Sequence, residues 1–300
     1  MTDSGKTLLT DLYQLTMNAA YVYSDKDDMA TFDLFIRALP PDWGYFIACG
    51  IEDAIDYLTT IRFDHEDLDY LKQHGFRDDY LEFLKDFSFE GDVMAVREGT
   101  PVFPAEPILR VTAKRTQAQF VETALLNAIS FQTMIATKAS RIVTAAHPAR
   151  VIDFGLRRAQ EESAGLKGAY AAYIGGAAAT SNVKAGRLYD IPLAGTHAHS
   201  FVMSYESELE AFRSYAAAFP DSPTLLIDTY DTLQGAQHAC TIARELQQQG
   251  KQLGAVRLDS GDLAQLSKDV RALFDREGLN QIKIFASSDL NEYKIHELIR

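Results

Sequence analysis

From Arg150 onward the chain alternates short apolar runs with amphipathic stretches, and this rhythm constrains the fold more than any other feature. The runs are Val151 to Phe154, Ile191 to Ala194, Thr224 to Ile227, Leu253 to Leu258 and Ile282 to Ala286. Helical periodicity covers 206–219, 233–249, 262–276 and 290–300. A run of consecutive apolar residues gives a strand no polar face, so both of its faces must be covered, and the intervening helices are the available cover. The pattern therefore predicts βα units on a parallel sheet. Five such runs are visible, whereas a closed barrel of this type takes eight. The expectation is a (β/α) barrel-like domain that is either irregular or incomplete.

The first third has no such order. Thr10 is placed to cap a helix carrying Leu12, Leu15, Ala19 and Val22 at a 3.6 period, and Met29 to Leu39 alternates like a strand ended by Pro40 and Pro41. Three short helices are expected over 51–61, 66–74 and 79–87, then strands over 92–98 and 108–113 flanking a Pro-rich turn. A long helical stretch from Gln117 to about Ala146, without Gly or Pro, bridges to the alternating region. The fold class expected is α/β, with an N-terminal α+β module over 1–116 and the barrel-like domain over 117–300.

Composition adds boundaries. The chain of 300 residues carries 29 Lys and Arg against 42 Asp and Glu, a net charge of −13. That balance argues against nucleic acid or an anionic membrane as partner, because both demand a surplus of cations. An anionic substrate would need a local basic pocket. Cys49 and Cys240 stand far apart in a chain with no secretory signal after Asp3 and Lys6, so they read as reduced thiols in the cytoplasm. No stretch approaches the roughly 18 apolar residues of a membrane span.

In parallel α/β folds the loops after the strand ends build the active site. Here they deliver Asp153, Phe154 and Arg157; Thr196, His197 and His199; Asp228, Thr229 and Asp231; Arg257, Asp259, Ser260 and Gly261; and Ser287 and Asp289. Asp or Ser between strand and helix is often only a helix cap, and for Asp228, Asp259, Ser260 and Asp289 that reading competes evenly. Arg157 and Arg257 are harder to explain so, since a guanidinium at a strand end needs a partner and suits phosphate or carboxylate. The pair Gly175 and Gly176, near Thr180 and Ser181, suggests a loop whose backbone could approach a ligand. His197 and His199, two residues apart, admit a zinc-binding pair as in barrel hydrolases, a core or capping role, or a nucleophilic or acid/base role.

Several longer runs carry a resemblance. LLTDLYQLTM at the N-terminus, FGLRRA at 154–159, GTHAHSFVMSY at 195–205, RLDSGDL at 257–263 and SSDLNE at 287–292 are similar to those of nicotinate phosphoribosyltransferases, in the right order. That family is a type II phosphoribosyltransferase. Consistently, no hydrophobic run here ends in two acidic residues and a TG-type loop, the type I signature.

The resemblance implies a reaction of nicotinate with phosphoribosyl pyrophosphate to give nicotinate mononucleotide and pyrophosphate, coupled to ATP hydrolysis, in NAD biosynthesis. It places His199 at the transiently phosphorylated histidine, with Asp228, Asp259 or Asp289 orienting it or helping to hold Mg²⁺. It assigns Phe154 to stacking on the pyridine ring, Tyr13 to closing the other face from the neighbouring subunit of a homodimer, and Arg257 and Thr196 to the carboxylate and ring. Ser181 falls where the related nicotinamide enzyme has an Asp, and a neutral hydroxyl favours the acid over the amide. Arg157 leads the phosphate contacts, followed by Arg141, Lys138 and Lys167, with Gly175, Gly176, Ser260, Gly261 and Asp289 as further candidates. Family members continue past the SSDLNE segment into a glycine-rich phosphate loop, so a chain ending at Arg300 is expected to be a truncated form. The alternatives are an inactive or partner-dependent fragment and the zinc hydrolase.

Overall fold

The computed structural model describes residues 6–299, so Asp3 and Arg300 lie outside the described residues. The chain folds as two compact units: one takes residues up to Thr144 and Ala149–Leu193, the other takes Ala145–Pro148 and the chain from Ala194 on. The packing division thus falls near residue 193.

The first unit opens with α1 (Leu12–Tyr23), β1 (Met29–Phe35), β2 (Phe46–Ile47), α2 (Ile51–Thr60), α3 (His65–Gln73) and α4 (Asp78–Lys85). It continues with β3 (Asp92–Ala95), β4 (Pro101–Val102), β5 (Pro107–Lys114), α5 (Arg115–Phe120) and α6 (Glu122–Ala146). Thr10 is not the cap of α1; Asp11 holds that position. Asp64 and Asp67 form a reciprocal capping box that starts α3 one residue earlier than periodicity suggests. β5 lies between β1 and β3, antiparallel to both. Asp33 of β1 stands opposite Arg110 of β5, and the guanidinium donates two bonds of 2.7 and 2.9 Å to the carboxylate, a cross-strand pair that helps fix the register. The expected single helix from Gln117 breaks at Val121, where Phe120 and Val121 are both fully buried.

The same unit carries β6 (Ile152–Asp153), a short 3₁₀ turn over Leu156–Arg158, α7 (Glu162–Ile174), β7 (Ala179–Thr180) and α8 (Val183–Tyr189). β6 and β7 pair in parallel. The run Ile191 to Ala194, expected as a strand, contributes only a bridge from Leu193 to Thr180. Pro192 has no N–H for a ladder and only accepts, from Thr180 N–H.

The second unit contains α9 (His199–Val202), α10 (Glu208–Ala218), β8 (Thr224–Leu226), α11 (Thr232–Gln248), β9 (Ala255–Leu258), α12 (Leu263–Arg276), β10 (Lys283–Ala286) and α13 (Glu292–Ile299). Its sheet has the order β10-β9-β8, all parallel, as the alternation predicts. Leu225, Val256 and Leu258 are fully buried in a core with Phe212, Ala239 and Phe274 from the covering helices. The fold is α/β, with antiparallel strands confined to the first unit. Cys49 and Cys240 are free and buried, and among the described residues no helix is long and apolar enough to cross a membrane.

Candidate active site

The loops after the strands of the second unit converge on His199, the first residue of α9. Its Nδ1 shares a hydrogen bond of 3.2 Å with the Thr229 hydroxyl, while Nε2 faces two carboxylates: Asp259 Oδ2 at 3.7 Å and Asp228 Oδ1 at 4.0 Å. The imidazole is 39% exposed whereas the Asp228 side chain is 1% exposed, so the ring can meet a solute and the carboxylate behind it is sealed. Asp228 Oδ2 accepts from Asp259 N–H at 2.8 Å and Ser260 Oγ at 2.6 Å; Oδ1 has no hydrogen-bond partner. A buried carboxylate oxygen left open costs free energy unless something with positive charge or a proton faces it, and the imidazole is placed to do so.

Arg257 ties the remaining strand ends together. It donates from Nη2 to Asp259 Oδ1 at 2.7 Å, from Nε to Ser287 Oγ at 2.8 Å and from Nη1 to Thr196 Oγ1 at 3.0 Å. Burial works against the Asp259 charge, but hydrogen bonds from Ser287 and Arg257 outweigh it and hold the carboxyl below its ordinary range. Asp259 therefore stays ionised near neutrality beside His199.

Capping does not account for these acids. Asp231 caps α11 by accepting from Gln234 N–H, Asp262 caps α12 by accepting from Gln265 N–H, and the Asn291 side chain serves the start of α13. Asp228, Asp259 and Ser260 precede the caps and turn to the cluster instead. Gly261 sits between Ser260 and the cap at φ +78°, a turn that glycine makes without strain. Asp289 is exposed, and its side chain takes no part in the hydrogen bonds of the cluster. Thr229 and Ser287, named from the sequence only as strand-end residues and given no role, are partners in this cluster.

The two histidines do not share surroundings. His197 is buried among Phe201, Phe212 and Tyr215, and its Nε2 accepts from Leu226 N–H at 3.1 Å. Burial brings its pKa down to about 4, so it is a neutral core residue. Among the described residues no group of three or more His, Cys, Asp or Glu could hold a metal ion.

The first unit carries the other candidates. Phe154 follows β6 and is half-buried. Asp153 before it organises the loop: Oδ1 accepts from Gly155 N–H, Oδ2 accepts from the Thr180 hydroxyl, and its carbonyl accepts from Ser181 N–H. Ser181 is thereby fixed beside β6, and the sequence reading had not weighed Asp153 as the residue that fixes it. Arg157 is exposed in the 3₁₀ turn, with no hydrogen bond or ion pair among the described residues. Tyr13 is exposed; its hydroxyl donates to Glu122 Oε2 at 3.3 Å and accepts from Gln14 Nε2 at 2.9 Å. Lys167 pairs with Asp53 at 2.8 Å, and Arg141 donates to the Asp42 carbonyl. Gly175 and Gly176 end α7. A side chain on Gly175 would meet the Ala136 carbonyl oxygen of α6 at 2.3 Å, and Gly176 has φ +101°. Close packing and a helix end explain both glycines, and neither geometry points to a ligand.

Comparison with known proteins agrees with the runs quoted above. A family model described as the nicotinate phosphoribosyltransferase N-terminal domain matches residues 8–130, and that of the nicotinate phosphoribosyltransferase family matches residues 149–300. The nicotinate phosphoribosyltransferase pncB2 of Mycobacterium tuberculosis is 46% identical over 293 residues, covering 97% of this chain and 63% of that protein. The nicotinate phosphoribosyltransferase of Bacillus subtilis is 45% identical over 299 residues, covering 99% of this chain and 61% of its own length. This chain thus spans under two thirds of the length of those relatives. The crystal structure of human nicotinic acid phosphoribosyltransferase superposes with a TM-score of 0.89 at 30% identity, covering 98% of this chain and 71% of that one. A Pyrococcus furiosus nicotinate-nucleotide pyrophosphorylase gives 0.80 at 26% identity, covering 96% and 67%.

Proposed function

The chain belongs to the nicotinate phosphoribosyltransferase family, and on that premise we propose that it joins nicotinate to phosphoribosyl pyrophosphate, releasing pyrophosphate, with ATP hydrolysed through a phosphate carried on His199. The observation that supports this reading is the placement of an accessible imidazole against two carboxylates, one sealed and one held ionised by Arg257. In the first half-reaction a ring nitrogen attacks the terminal phosphorus of ATP, the bond to ADP breaks, and the carboxylates stabilise the ring's remaining proton. Water later takes the phosphate. In the second, the anomeric carbon–oxygen bond breaks as the nicotinate nitrogen bonds to that carbon through an oxocarbenium-like state, so positioning and charge neutralisation do most of the work. Mg²⁺ would arrive with the ATP and phosphoribosyl pyrophosphate substrates, whose charge it would offset.

The resemblance carries stacking on nicotinate to Phe154 and recognition of its carboxylate and ring to Thr196 and Arg257; Ser181 carries no charge and so repels no anion. Arg157, exposed on its turn, is the phosphate contact. Ser260 and Gly261 are kept as phosphate-loop candidates; Asp289, Gly175 and Gly176 have weaker claims on their geometry. Tyr13 is assigned to the site of a second copy in a homodimer, and the cytoplasm is the proposed compartment. The deciding assay follows nicotinate-dependent ATP hydrolysis with phosphoribosyl pyrophosphate, together with the mass of the intact protein after incubation with ATP. Wild type should gain one phosphate and couple hydrolysis to product; His199→Ala should do neither. Equal behaviour of the two proteins would remove His199 from the mechanism.

A further inference from the structure

A second histidine–carboxylate pair lies in the second unit, away from the reacting ring. Glu208, the first residue of α10, turns its side chain inward to 5% exposure, and His238 of α11 donates from Nδ1 to its Oε2 at 2.9 Å. The other oxygen, Oε1, is buried without a partner. Such a pair is a poor stabilising device: the desolvation of a carboxylate offsets much of its attraction, and apolar residues of similar size often serve stability as well or better. Its place along the chain suggests another purpose.

The His199 to Thr229 bond and the Glu208 to His238 bond each span thirty residues of sequence. They therefore join the same two segments in the same register, the second bond lying as far beyond His199 on one segment as beyond Thr229 on the other. One segment runs from His199 through α9 to the start of α10; the other runs from Asp228 through the cap Asp231 into α11. The partly buried pair is thus the distal rung of a two-rung clamp whose proximal rung orients the imidazole. His238, Asp228 and Asp231 are the charged neighbours that Glu208 feels; burial pushes its carboxyl up and His238 pulls it back.

We propose that Glu208 and His238 are positioning residues for His199, holding the segment that carries it in register with the segment that carries Asp228 and Thr229. The proposal rests on His199 being the reacting residue, but its test does not need turnover. In the isotopically labelled full chain, the ring resonances of His199 are identified by their loss in His199→Gln and compared across His238→Phe, Glu208→Ala, and the rescuing variants His238→Gln and Glu208→Gln, which can still hydrogen-bond their partner. The expected result is displaced or doubled His199 resonances in the two disrupting variants and wild-type resonances in the two rescuing ones. Where wild type turns over, kcat should fall roughly ten- to a hundredfold in the disrupting variants with the nicotinate KM within about twofold. Unchanged His199 resonances in folded His238→Phe or Glu208→Ala would overturn the proposal. So would failure of both disrupting variants to fold while the rescuing ones do, since the pair would then be a folding requirement. Absence of turnover in wild type would count against the proposed reaction and leave the resonance comparison decisive for the clamp.

Discussion

Asp228 shows how much one side chain can set. With one oxygen fixed by Asp259 N–H and Ser260 and the other open toward His199, it supports a proton or positive charge on the ring. Asp228→Asn keeps the size but removes the charge, and we expect kcat to drop by about a hundredfold, within the range for a lost acid/base partner, with a small change in KM. Steady-state kinetics at pH 7 checks this. His197 makes a different prediction. Its folded pKa near 4 lies below the value of roughly 6.5 for an unperturbed histidine, so its neutral form contributes stability above pH 6.5 that is lost as pH falls to 4. The loss amounts to at most about 3 kcal/mol. Melting temperature should fall more steeply across that window in wild type than in His197→Gln. The Asp259 contribution, from a depressed carboxyl, disappears only at lower pH. At this scale the sequence made the chemical residue types legible because strand ends concentrate them. Which Asp caps a helix and which faces the imidazole was not legible, since Asp228 and Asp231 differ only by three positions of backbone geometry.

Elements were legible where periodicity was long. The helices over 206–219, 233–249 and 262–276 appear with ends displaced by at most two residues, and three of the five expected strands form one parallel sheet. β7 was hidden because Ala179 and Thr180 follow an alanine-rich helix with no apolar run to mark a strand. The Ile191 run failed as a strand because a proline occupies its second position. The end of α7 offers a test of packing. Gly175→Ala would push a methyl group into the Ala136 carbonyl of α6, and since backbone cannot yield as a side chain does, a loss of roughly 1 to 3 kcal/mol is expected in urea unfolding. Gly168→Ala, in the same helix with open space around it, should be neutral or slightly stabilising. Equal effects at the two positions would contradict the packing explanation.

For the molecule as a whole, the net charge of −13 acts at long range while Arg157 and Arg257 act locally. A polyanionic substrate approaches against the overall field, which reaches about 30 Å at 0.01 M salt but only about 8 Å at 0.15 M. The KM for phosphoribosyl pyrophosphate should therefore fall as sodium chloride rises over that range, opposite to the behaviour of a basic protein; a rise throughout would show that local cations dominate. The division into two compact units was the least legible feature, because a contact boundary leaves no mark on composition when helices and strands of both kinds occur on either side.

The burial of Cys49 at 0% and Cys240 at 4% exposure has a practical side. Neither thiol presents itself to a bulky electrophile in the folded chain, so the natural sequence already serves as an unreactive background. A single cysteine placed at Val183, 68% exposed on α8, would take one maleimide dye per chain without removal of the native pair. Slow appearance of a second or third label would then time the opening of each core in turn.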